Sequence, residues 1–189
     1  MSRSLITLAL IVVTAACGSS APKSPEKTPP AKAPALLQTG EPVKFEVLET
    51  FLPGEDFAKA NGWQRSDLTG MALTVPIRGS QASVTLRKDG VEIVVNIIDT
   101  VFNQSLYAPV AAFLTEGFSS KSPDGFKRAT TMQGQPAFEE WTRADRTGGV
   151  TVLVGKRYLL HVQGTGIDTT DVVTRVATAI DLAKLAVLQ

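Results

Sequence analysis

Among the side chains that do chemistry, two occur once: Cys17 and His161. One cysteine forms no internal disulfide, and a single imidazole beside it assembles no Cys/His zinc set. His161 lies in Tyr158-Leu159-Leu160-His161-Val162, where strand alternation turns it away from Tyr158, Leu160 and Val162. A Ser/His/Asp site would need it as its base, but no nucleophile elbow occurs. A strand-interior imidazole reads instead as packed and hydrogen-bonded. Gly149 to Lys156 resembles a phosphate loop only superficially. Five residues separate Gly149 from Gly155 where the motif has four, and Arg157 stands where Ser or Thr would hold magnesium. A hairpin turn at Gly155-Lys156 accounts for the same residues.

The carboxylates give little more. Glu139 and Glu140 are neighbours on a strand, so they point to opposite faces and share no proton. Pairing of one of them with Arg157 or Arg143 across strands is expected. Asp168 and Asp171 fall short of a calcium ligand count; Asp168 or Thr169 is expected to cap a helix. Asp99, at the end of an apolar strand, is the one carboxylate that reads as a candidate ligand-binding residue, with capping or turn stabilisation as the alternative. Trp63 and Trp141 read as core or interface aromatics. No catalytic residue, metal site or cofactor is assigned, and the chain reads as a non-enzyme. The formal net charge of +1 provides no basic field for nucleic acid.

The first seventeen residues carry a different message. Arg3 precedes a mostly apolar run from Leu5 to Ala16. Twelve helical residues reach about 18 Å, short of the roughly 30 Å hydrocarbon core, so the run reads as a secretory signal and not a span. Its end, Val13-Thr14-Ala15-Ala16-Cys17-Gly18, resembles the lipobox of bacterial lipoproteins, with Thr14 where that family usually has Leu. The resemblance implies cleavage between Ala16 and Cys17, then diacylglyceryl transfer to the Cys17 thiol and acylation (palmitate, for example) of the new amino terminus. Ordinary signal cleavage after Ala21, which discards Cys17, is the competing expectation. Two or three acyl chains anchor stably where one does not. The implied place is the cell envelope, and Gly18 in place of an Asp favours an outer membrane facing the periplasm where the cell has one.

Residues 17–42 follow as lipidated cysteine and tether. Pro22, Pro25, Pro29, Pro30, Pro34 and Pro42 are interleaved with Lys, Ala, Ser and Thr, a composition that buries too little apolar surface to offset ordering entropy. At about 3.1 Å per residue it spans up to roughly 75 Å.

Residues 43–189 form the expected single domain. Val43, Val47, Leu48 and Phe51 make one helical stripe before Pro53-Gly54, and a short helical turn follows from Glu55 to Asn61. The period then changes to two. Met71, Leu73 and Val75 alternate, as do Ala82, Val84 and Leu86; Asp89-Gly90 is a hairpin turn. Val91 to Ile98 is nearly continuous in β-branched residues, which implies cover on both faces. A helix is expected from Leu106 to Glu116, capped by Ser105 with Pro109 in its first turn. Strands follow over Phe126–Met132, Ala137–Arg143, Val150–Val154 and Arg157–Gln163. A long helix over Thr170–Leu188 is expected to bury Val172, Val173, Val176, Ile180, Ala183 and Val187.

The order defines an α+β fold: a mainly antiparallel sheet of six or seven strands with helices packed on it. With Gly62-Trp63, Ile98-Asp99-Thr100, Gly134-Gln135-Pro136-Ala137-Phe138 and Val152 to Tyr158, it resembles the Mog1/PsbP-type α/β/α sandwich and certain bacterial lipoproteins. Relatives of that fold mostly act in binding and assembly. The expected function is a membrane-anchored, non-catalytic module for an envelope protein partner; the alternative is a binder of a small apolar or amphipathic ligand between sheet and helix.

Overall fold

Alternating apolar side chains build one antiparallel sheet, and its registers align them in rows. The computed structural model describes residues 40–74 and 78–188. The signal segment, Ala16, Cys17, the tether up to residue 39 and Val75 lie outside the described residues. In chain order the elements are α1 (Phe45–Glu49), α2 (Glu55–Asn61), β1 (Gln64–Arg65), β2 (Thr69–Leu73), β3 (Gly79–Lys88), β4 (Val91–Asp99) and α3 (Gln104–Ala111). There follow β5 (Ser119–Ser122), β6 (Gly125–Met132), β7 (Gln135–Thr142), β8 (Thr147–Val154), β9 (Tyr158–Thr165), α4 (Asp171–Thr178) and α5 (Leu182–Ala186). The sheet order is β1-β3-β4-β9-β8-β7-β6-β5, with β2 also on β3, and every pairing is antiparallel.

On one face, Val84, Val95, Val162 and Val150 stand in register across β3, β4, β9 and β8. Beside them run Ala82, Ile97, Leu160, Val152 and Ala137. All of these are buried, and α1, α2, α4 and α5 cover them with Leu48, Ala58, Val173, Val176, Leu182 and Leu185. Each large aliphatic side chain so buried is worth about 1.5–3 kcal/mol. A third row contains the facing pair Gly148 and Gly164. A Cβ on Gly164 would stand 2.8 Å from the Val173 side chain, so this glycine lets α4 lie directly on the sheet.

Several expectations need correction. Among the described residues the sheet has nine strands, not six or seven. The two extra, β1 and β5, are two and four residues long, and β5 is exposed throughout, so neither has an apolar alternation to detect. β4 is buried on one face only: Ile93, Val95 and Ile97 are covered, whereas Val94, Asn96 and Ile98 are half-buried. Within α1 only Leu48 is buried; Val47 is exposed.

The expected long terminal helix is two helices. Gln133 plugs the break: its Nε2 donates to the carbonyls of Thr178 (3.0 Å) and Ile180 (2.9 Å), and its Oε1 accepts from Leu182 N (3.2 Å). Asp181 then caps α5 by accepting from Lys184 N. The break resets the helical phase, so Leu182 and Leu185 are buried while Ala183 and Val187 face solvent. At the start of α4 the N-cap position is Thr170, without a side-chain cap bond, and Asp168 pairs with Arg146 instead. α3 begins at Gln104 and is capped by Asn103, whose Oδ1 accepts from Ser105 N, so Pro109 lies past the first turn. Among the described residues no helix is long and apolar enough to cross a membrane.

Candidate functional site

Asp99 closes β4 beside Tyr158, the first residue of β9, and this register brings Arg157 against it. Arg157 Nε donates to Asp99 Oδ1 (2.9 Å) and Nη2 to Oδ2 (2.8 Å), a forked pair in which the Asp99 side chain is 0% exposed and that of Arg157 10%. The backbone N–H groups of Val43 and Val101 fill the remaining lone pairs of the carboxylate. Arg157 Nη2 also donates to the Glu41 carbonyl, so the pair fastens the segment where the chain enters the domain. The hydrogen bond to Asp99 raises the Arg157 pKa, against desolvation. Burial first, and the Asp99 charge second, push the Tyr158 phenol up to about 12. With these four bonds Asp99 serves as a clasp, and its oxygens are taken.

The clasp also holds a strained turn. Val101 and Phe102 both adopt left-handed backbone angles (φ 49° and 57°), and Asn103 N donates to the Thr100 carbonyl. A β-branched residue at positive φ costs about 1–3 kcal/mol, offset here by the bond from Val101 N to Asp99. The turn leaves Phe102 42% exposed, beside the Arg157 guanidinium.

The other face of the sheet carries the candidate binding site. Asn96, His161, Thr151 and Phe138 stand in register across β4, β9, β8 and β7. Gln81, Ile98 and Leu159 form the neighbouring row. After α3 the chain brings Phe113 onto this face, where its ring stacks on Phe138 (centroids 4.8 Å) with Phe118 edge-on (5.2 Å). Between Val110, Phe113 and the sheet runs a trough of about 410 Å³, floored by Ile98, Leu159, Asn96, Thr151 and His161. Its rim carries the ion pair of Lys127 and Glu140 (3.1 Å).

The floor is neutral. Thr151 Oγ1 and His161 Nδ1 are 2.8 Å apart, and Gln81 Nε2 donates to Asn96 Oδ1 (3.2 Å). Burial pushes the His161 imidazole below its ordinary pKa, and a hydrogen bond donated to the Gln163 side chain and the Glu140 charge oppose this. Among the described residues no carboxylate hydrogen-bonds the imidazole. This is an apolar slot with hydroxyl, amide and imidazole groups at its base, an arrangement suited to holding a molecule with an apolar body and a small polar head.

Glu139 and Glu140 do point to opposite faces, but their partners are Arg128 and Lys127, not Arg157 or Arg143. Glu139 lies on the helix-covered face and also accepts from the Thr170 hydroxyl. Trp63 and Trp141 both pack against the core, and Trp141 Nε1 is buried without a partner among the described residues. Among the described residues no cluster of His, Cys, Asp and Glu is placed to hold a metal. Sequence reasoning missed Phe113, Phe138 and Thr151 as trough residues. The only signal was the run Val91 to Ile98, whose second apolar face needs partial cover.

No family model matches the chain, and no curated relative matches it. Among solved structures, it is similar to a GTP-binding regulator from Thermotoga maritima, at 9% identity and TM-score 0.34 over 74% of this chain and 87% of that one. It is also similar to an uncharacterised protein from Mycobacterium smegmatis, at 10% identity and TM-score 0.36 over 69% of this chain and 93% of that one. At these scores neither likeness bears on function.

Proposed function

We propose that this chain is a lipid-anchored cell-envelope protein, held by acylated Cys17 on a proline-rich tether, whose domain takes up a small amphipathic ligand without catalysis. The trough carries the reading: an apolar wall of Val110, Phe113 and Phe138 faces a floor of neutral polar groups, at a volume within the range of small-ligand sites. The Mog1/PsbP-type α/β/α sandwich is part of the proposal. It is supported by helices α1, α2, α4 and α5 on one face and by α3 with Phe113 on the other. An envelope protein partner is the second reading. It is favoured by Phe102 and Val187, exposed at 42% and 75%, which line one groove beside Glu41.

A neutral fluorescent probe, N-phenylnaphthylamine, tests the ligand reading. Its emission rises on binding and falls again when monolaurin displaces it. Val110→Glu, which puts a charge on the trough wall while leaving the sheet untouched, abolishes both effects. Equal binding by wild type and Val110→Glu would remove the trough from consideration. For the anchor, Cys17→Ala abolishes palmitate labelling and moves the protein to the soluble fraction; labelling that survives the change contradicts lipidation.

A further inference from the structure

A second pocket, away from the trough, is built where the α2 terminus, the β3–β4 turn and α4 meet. Gly62 ends α2 in the left-handed conformation, and the chain turns so that Trp63 N donates to the Ala58 carbonyl. This places the Trp63 indole beside Phe57, with Val91, Val172 and Val176 completing an apolar cavity of about 250 Å³. The polar groups around it are mainly donors. Lys88 Nζ is 5.9 Å from the Trp63 ring centroid and spends one N–H on the Asn61 carbonyl (2.9 Å), leaving two. Arg175 projects from α4 at the rim, and among the described residues its guanidinium has no hydrogen bond or ion pair. Asp89 is the one acid in the lining, set against the two cations.

An apolar slot with aromatic walls and two cationic side chains at its rim is complementary to an apolar body that carries a negative charge. We propose that this pocket binds a small organic carboxylate, an aromatic or branched aliphatic acid of about ten heavy atoms. Its apolar body lies against Phe57, Trp63 and Val172. Its carboxylate accepts from the planar fork of Arg175 and from Lys88. The size follows from a cavity smaller than those that hold drug-sized ligands. Nothing in this site depends on the trough, so either can fail alone.

The test uses the full chain carrying Trp141→Phe, which leaves Trp63 as its only tryptophan. Phenylacetate produces a saturable change in Trp63 emission, and phenylacetamide, of the same shape and uncharged, binds about tenfold more weakly. Arg175→Gln weakens phenylacetate several-fold and leaves phenylacetamide unchanged. Arg175 is exposed and bonds none of the described residues, so that loss is not a loss of folding. No saturable change, equal binding of acid and amide, or indifference to Arg175→Gln would each overturn the proposal.

Discussion

Arg157 and Asp99, 58 residues apart in the chain, meet through two parallel hydrogen bonds of 2.9 and 2.8 Å at the boundary of β4 and β9. The pair ties the incoming segment at Glu41 and Val43 to the sheet and holds the strained turn at Val101 and Phe102.

Asp99→Asn leaves a largely buried guanidinium without its counter-charge. It lowers the unfolding free energy by about 3–5 kcal/mol in urea titrations, whereas Arg87→Ala, which breaks the exposed pair with Glu92, changes it by less than about 1 kcal/mol. In a double-mutant cycle with Arg157→Met, the two losses do not add, because both remove one interaction. Additive losses would show that Asp99 and Arg157 act separately.

Gln133 makes the break between α4 and α5 by bonding backbone groups on both sides of it. Gln133→Asn keeps a side chain that tolerates the left-handed backbone there (φ 49°) but shortens the reach. It destabilises the domain by about 1–2 kcal/mol. It also speeds amide exchange at Leu182 while leaving Val95 in the central strand unchanged. Uniform acceleration would mean that Gln133 supports the whole fold and not this junction.

His161 sets a pH dependence. Burial lowers its folded pKa below the unfolded value near 6.5. As pH falls through that value the unfolded chain takes up a proton first, so stability is lost on acidification and the loss levels off below the folded pKa. His161→Gln removes this component, so wild type falls more than the variant between pH 7.5 and pH 5. A wild-type curve parallel to that of His161→Gln, or a steeper fall in the variant, contradicts the assigned direction.

Much of the fold is legible in the residues themselves. The alternation of Ala82, Val84 and Leu86, the turn at Asp89-Gly90 and the stripe of Val173 and Val176 follow from periodicity, and all reappear in the sheet and α4. Local pattern fails where a distant residue decides the outcome. Nothing between Thr170 and Leu188 announces that Gln133 interrupts the helix. Asp99 ends a strand in the sequence, and only the register with β9 reveals that Arg157 occupies it. The trough is hidden for the same reason: Phe113, Phe138 and His161 come from separate segments, and no spacing links them. His161 itself was legible as packed and hydrogen-bonded, because a lone imidazole alternating out of an apolar strand has no catalytic companions in sequence.

The trough is the central claim, and its methyl groups report on it directly. In a methyl NMR titration with monolaurin, Ile98, Val110 and Leu159 show saturable shifts, while Val84 and Val152 on the opposite face stay in place. Shifts confined to Val187 beside Phe102, or none at Ile98 and Val110 at any concentration, would contradict it.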